Sequence, residues 1–196
     1  MRDAHRVDFD FDREWQSDVM SRRQLRDAGI GHDDVRSKVR AGRWQVVGSV
    51  VVLHNGPLTD TQALWCAVLD QPQPCALAGI TAAIAHGLRT KPRHAIHVVI
   101  PMDARRRSRP GVVTHRVVDS RPTPGPGVSR VSAARAIVQA ALWEQDRKTA
   151  GGLFIAGFQQ RLVKAGPVTR ELVASRGHPR IGVLTGLMDD IANGVG

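Results

Sequence analysis

The chain has 196 residues, with 28 lysines and arginines against 18 aspartates and glutamates and a formal net charge of +10. That length suits one or two domains with a real core, and no apolar run approaches the about 20 residues a membrane span needs. The acidic start, MRDAHRVDFDFD, lacks the apolar stretch of a secretory leader, so the expectation is a cytoplasmic protein with no membrane partner.

The charge is unevenly placed. Residues 1–20 carry three arginines against six acids, residues 21–54 seven basic side chains against three acids, and residues 89–130 ten against two. Such an excess favours a polyanionic partner, because each neutralised phosphate releases a condensed counterion. The two cysteines, Cys66 and Cys75, sit in the apolar contexts LWCAVL and PCALA and read as buried free thiols.

In chain order, the first dozen residues alternate acid with Phe9 and Phe11 and read as a tail. Residues 13–20 are expected to form a short helix with Trp15 and Val19, four apart, facing a core. Ser21 and Gln24 make a capping box that opens the next helix, and Met20 and Leu25 sit where a hydrophobic staple closes over it. Gly29 ends that helix and Gly31 allows a tight turn. A second helix over residues 32–41 carries Asp33 and Asp34 in its first turn and Lys38 and Arg40 in its last, each sign suiting the helix dipole. Val35 and Val39 face inward, whereas Asp33, Arg36, Ser37 and Arg40 share an outward face. Gly42 stops the helix, and residues 43–47 and 50–53 form strands around Gly48-Ser49, a two-residue hairpin signal.

Helix, glycine turn, basic helix and β-wing is the plan of a winged helix-turn-helix, which sets its second helix in the major groove. The candidate DNA contacts are Arg22 and Arg23, then Asp33, Arg36, Ser37, Lys38 and Arg40, and Arg43 just past the helix. A basic face on a short helix is also what ordinary solvated surface looks like, so this pattern alone leaves both readings open.

The turn His54-Asn55-Gly56-Pro57 divides a winged-helix domain, 1–56, from a small mixed α+β domain with a helical C-terminal part, 57–196. Thr59 caps a helix to about residue 69, with Leu64, Ala67 and Val68 on one face and Trp65 to the side. Gln71-Pro72-Gln73-Pro74 breaks it. A short strand over residues 75–78, an alanine-rich helix over 80–86 closed by Gly87, and strands over 96–100 and 112–118 follow. Between the last two lies a basic loop, Arg105-Arg106-Arg107 with Arg109, a further candidate for phosphate or for an acidic partner. After the linker PTPGPG, Ser132 caps a helix through Trp143 with Ala136, Ile137, Ala140 and Ala141 inward. Periodic segments around 153–163, 168–174 and 181–191 make a helical end. The fold class expected is α+β.

Catalytic chemistry finds little support. Metal-dependent nucleases and nucleotidyltransferases gather two or three carboxylates, and this chain has only three glutamates, Glu14, Glu144 and Glu171. Asp189-Asp190 is the one adjacent acid pair beyond the wing and reads as solvated. There is no P-loop and no zinc spacing. His94 and His97 flank a strand start, His115 lies within a strand, and His86 reads as a helix-end histidine. Ser132 and His115 have no marked acid partner for a triad. The absence of tyrosine and the 4% aromatic content argue against a stacking platform for single strands or RNA. No enzyme activity, cofactor or metal is expected.

The ordered runs SRRQLRDAGIGHDDVRSKVRAGRW, LTDTQALWCAVL, AGITAAIAHGL, IHVVIP, RPGVVTHR and VSAARAIVQAA resemble actinobacterial AbiEi-family antitoxins, also described as predicted transcriptional regulators of viral defence. The likeness covers residues 21–143. It implies an N-terminal winged helix that binds the promoter of its own operon, a second domain, and a nucleotidyltransferase toxin as the partner gene's product. It puts the recognition helix on residues 32–41 and the wing on residues 43–53. Two positions depart from the family: Gly79-Ile80 stands where Ser-His is common, and Gln139 where an acid is common. A related group fuses this region to a repair-type endonuclease domain.

Three functions follow as expectations. The first is a sequence-specific DNA-binding regulator, an AbiEi-like antitoxin acting on double-stranded DNA and against a nucleotidyltransferase toxin. The second is the non-catalytic, DNA-binding leading portion of an endonuclease. The third is a protein-interaction module that uses its basic loop.

Overall fold

The computed structural model describes residue 10 and residues 13–91 and 95–194; Phe9 and Phe11 of the acidic start, and His94, lie outside them. The chain is a mixed α+β protein. It begins with β1 (Val19–Ser21), α1 (Arg22–Asp27), α2 (His32–Arg40), β2 (Gln45–Val47) and β3 (Val50–Val52). The strands form an antiparallel sheet in the order β1-β3-β2.

Local chemistry sets the helix ends. Ser21 Oγ accepts from the Gln24 amide at 3.2 Å while Gln24 Oε1 accepts from the Ser21 amide at 2.9 Å, a reciprocal cap of the kind worth about 1 kcal/mol. Gly29, at φ +80°, turns the chain out of α1. Asp34 Oδ2 accepts from the Gly31 amide at 3.0 Å and starts α2, and Gly42, at φ +66°, ends it. Met20, Leu25, Val35 and Val51 form a small cluster under the helix pair, with Ile30, Val39, Trp44 and Leu53 at its margin. β3 is the central strand, so Val51 faces this cluster while Val50 and Val52 face the larger core on the other side.

The expected helix over residues 13–20 is not what forms. Residues 13–15 are helical, a turn follows at 16–18, and Val19 enters β1 opposite Val52. Ser17 and Asp18 both take positive φ, 53° and 63°, which no helix accommodates. The turn is held by Gln62, whose Nε2 donates to the Ser17 carbonyl at 2.9 Å. Val19 is buried but Trp15 is 45% exposed, so the two do not share a face.

The second part holds α3 (Asp60–Leu69), β4 (Ala76–Leu77), α4 (Gly79–Ala85), β5 (Ile96–Pro101), β6 (Val112–Val117), α5 (Ala133–Trp143), α6 (Arg147–Gln159), α7 (Ala165–Ala174) and α8 (Ile181–Ala192). Thr59 and Gln62 cap α3 reciprocally, and Ser132 Oγ accepts from the Arg135 amide to start α5. Trp65 lies in the core rather than to the side of α3. The sheet runs β4-β5-β6, with β4 and β5 antiparallel but β5 and β6 parallel, Ile96 opposite Val112. Parallel neighbours usually need a helical crossover. Here residues 102–111 alone run back along β5, and this connection is the arginine loop.

One large apolar cluster joins α5 (Ala136, Ile137, Ala141) to Phe154 of α6, Val168 of α7, Leu184 of α8 and the β4-β5 strands, and it takes in Val19, Val50 and Val52 from the first sheet. The turn at Gly56-Pro57 therefore separates the two parts in sequence, while their packing is continuous across it. Among the described residues, no helix is long and apolar enough to cross a membrane.

Candidate nucleic-acid interface

α2 buries Val35 and leaves Asp33, Arg36, Ser37 and Arg40 exposed on the opposite side. The outward residues are not equivalent. Arg36 Nη2 lies 3.6 Å from Asp33 Oδ1, with the two side chains 62% and 89% exposed, a pair worth little in water and readily exchanged for another anion. Arg40 and Arg43 are exposed with no ion pair among the described residues. Lys38 differs: it is half-buried, and its Nζ lies 5.9 Å from the centre of the Trp44 ring. Its carbonyl accepts from the Arg43 and Trp44 amides, so Lys38 joins helix to hairpin and faces away from Arg36. On α1, Arg22 is half-buried, and Arg23 is exposed and 3.6 Å from Asp27.

The arginine loop meets the hairpin turn. Arg107 Nη1 donates to Ser49 Oγ at 2.8 Å and to the Asp70 carbonyl, and lies 4.0 Å from Asp70 Oδ1. Asp70, 3% exposed at the end of α3, accepts from the Ser49 amide through Oδ1 at 2.6 Å. Gln71 grips the loop backbone from both sides, donating to the Arg107 carbonyl at 2.8 Å and accepting from its amide at 3.0 Å. Arg109 turns inward, its Nη1 buried without a hydrogen-bond partner, beside the Cys66 thiol, which burial pushes up and Arg109 pulls down. Arg105 and Arg106 stay exposed. Of the four arginines, Arg107 anchors the loop, Arg109 turns inward, and Arg105 and Arg106 face outward. Ser49, Asp70 and Gln71 were not singled out from the sequence. They lie 21 to 58 residues from the groups they bind, beyond the reach of any local pattern.

A second polar cluster forms on the β5-β6 sheet. His97 Nδ1 and His115 Nε2 are 3.1 Å apart, and the His115 ring stacks on Trp143 at 3.6 Å with an interplanar angle of 5°. Burial, and secondarily His97, hold the His115 imidazole down to about 4 from the ordinary 6.5. Gly79, at φ +53°, packs so close to Trp143 that a Cβ would lie 2.7 Å from the ring, and its amide donates to Gln139 Oε1 at 3.2 Å. Gly79 and Gln139 are therefore in direct contact. His86, read as a helix-end residue, caps α4 and places Nε2 2.8 Å from the Val131 carbonyl. Asp189 and Asp190 are exposed on α8, and among the described residues no three His, Cys, Asp or Glu side chains gather to hold a metal ion.

No protein-family model matches the sequence, and comparison with curated proteins gives no match. Among solved structures, the chain is similar to the RV2827C protein of Mycobacterium tuberculosis, at 18% identity and a TM-score of 0.53, over 92% of this chain and 74% of that one. At that identity the likeness speaks to the fold alone: a mixed α+β arrangement that continues through nearly the whole chain.

Proposed function

We propose that this protein is a sequence-specific, double-stranded-DNA-binding regulator of transcription. In this reading β1, α1, α2 and the β2-β3 hairpin are a winged helix-turn-helix and α2 is the helix that enters the major groove. The observation that carries it is the division of α2: Val35 is buried against the sheet, while Arg36 and Arg40 stand one turn apart on the exposed face with Ser37 between them. Arginine can give two parallel donors to guanine O6 and N7, which suits it to base reading. The +10 net charge supplies the sequence-independent attraction that such a reader needs.

The resemblance of residues 21–143 to AbiEi-family antitoxins supports a narrower form. The DNA is then the promoter of the protein's own operon, and the protein counteracts a nucleotidyltransferase toxin encoded beside it. The test is a titration of the protein against its upstream duplex and a random duplex of equal length, at several salt concentrations. Tighter binding to the upstream duplex, with affinity falling steeply as salt rises, is expected. Equal, salt-insensitive affinity for both sinks the proposal.

A further inference from the structure

We infer that the arginine loop, residues 102–111, serves as the phosphate-contacting tip of the hairpin, with Arg105 and Arg106 as the contacts and Arg107 as a positioning residue. This rests on the DNA-binding reading above and assigns a second contact surface to it, supplied by the other part of the chain.

The hairpin's own turn cannot serve as that tip. It has two residues, and its open side is filled from within: a Cβ on Gly48 would lie 2.5 Å from Asp70 Oδ1. The Ser49 amide and hydroxyl are both engaged, by Asp70 and Arg107. A carboxylate in that position would repel a phosphate, but Asp70 is buried and faces the Arg107 guanidinium. What projects at the turn is the loop that locks onto it.

Arg105 and Arg106 immediately precede the gripped residue, are exposed, and make no ion pair or side-chain hydrogen bond among the described residues. The acid beside them is Asp103, exposed in the same loop, so the loop keeps an excess of positive charge. Because Gln71 fixes the loop backbone at Arg107, little further ordering is needed for its outer side chains to meet a ligand. Residues 43 and 44 turn back onto the Lys38 carbonyl and residues 45–47 run out as β2, so the turn stands beside the end of α2 at a reach of at most about 20 Å. An element flanking a helix seated in the groove meets the backbone that borders the groove, where phosphate contacts position the protein. The ligand class is therefore the sugar-phosphate backbone of double-stranded DNA, contacted without regard to sequence.

Full-length parent, Arg105→Ala/Arg106→Ala, Arg107→Ala and Asp70→Ala are compared by fluorescence anisotropy on the upstream and random duplexes from low to moderate salt, with melting curves. The double variant should melt like the parent, bind both duplexes more weakly by one common factor, roughly tenfold at low salt, and lose about 1.8 from the salt slope. Arg107→Ala should lose more than the slope of one contact, because it releases both outer arginines. Under trypsin its loop should be cut faster than the parent's. Asp70→Ala is the sharper arm: deleting a negative charge should tighten DNA binding by simple electrostatics, whereas loss of the anchor weakens it. If that variant does not fold, the Arg107→Ala slope and proteolysis decide the point. A double variant with the parent's slope overturns the loop assignment while leaving α2 as reader, and a parent that binds neither duplex overturns both.

Discussion

The outward arginines of α2 differ in what holds them, and that difference is testable one residue at a time. Arg36 exchanges an exposed pairing with Asp33, worth at most about 1 kcal/mol, for whatever faces the helix. Arg36→Ala should therefore leave melting almost unchanged, cost roughly 1–3 kcal/mol on the upstream duplex, and relax preference at one base position. Arg43→Ala should instead weaken all duplexes alike. Titrations of both variants on the two DNAs separate these outcomes, and an Arg36→Ala protein that is folded and binds like the parent removes α2 from the role of reader. His115 offers a different readout. Its folded value near 4 lies below the ordinary 6.5, so the unfolded chain takes up the proton first. Stability is then undiminished above pH 6.5, falls as the pH drops toward 4, and levels off below. Asp119 and Asp146, held low chiefly by hydrogen bonds from Arg121 and Thr149, begin to lose their contribution only as the pH falls into the ordinary carboxylate range, at the bottom edge of this window. Melting temperatures between pH 4 and 8 should show the decline in the parent and a flatter profile in His115→Phe. The same slope in both would assign the effect elsewhere.

At the scale of elements, the contact of α4 with α5 turns on one glycine. Gly79 combines a positive φ with a Cβ position 2.7 Å from the Trp143 ring. Gly79→Ala adds backbone strain of about 1–3 kcal/mol to overpacking of similar size, and should lower the melting temperature and disturb the His115–Trp143 stack. An equal melting temperature with unchanged indole fluorescence would show that the pair can separate freely. This contact illustrates what sequence could and could not reveal. Caps, glycine stops and apolar periodicity are local, so the starts of α1, α3 and α5 and the inward face of α5 were all readable from a few consecutive residues. β1 was not, because its strand state is decided by Val50 to Val52, about thirty residues on, and by a Gln62 side chain that fixes the preceding turn. The parallel pairing of β5 with β6 was hidden for the same reason: a loop without a helix gives no crossover signal. In the candidate site, the exposed face of α2 was legible from helical spacing. The unequal roles of the four loop arginines were not, since Ser49, Asp70 and Gln71 come from distant segments.

For the whole molecule, the decisive feature is that the first sheet is packed from both sides. Val51 closes the small cluster beneath α1 and α2, while Val19, Val50 and Val52 belong to the core shared with α3, α5 and the second sheet. Cutting the chain at Gly56 leaves those three valines without cover, and each buried valine is worth roughly 1.5–3 kcal/mol. The loss also includes Gln62 on the Ser17 turn and Asp70 and Arg107 on the hairpin. A small domain holds only a narrow margin of stability to begin with. A fragment of residues 1–56 is accordingly expected to be unfolded or loosely packed despite its intact helix caps, and the full chain to melt in a single transition. Circular dichroism and amide-proton dispersion of the fragment, beside calorimetry of the whole protein, test this. A cooperative melt of the fragment near the full chain's temperature would show that the small cluster suffices. If the fragment does need the remainder, any DNA contact by α2 depends on the second part of the chain for its folding as well as for the anchor beneath its hairpin, and a ligand that loosened the shared core would weaken that contact without touching DNA.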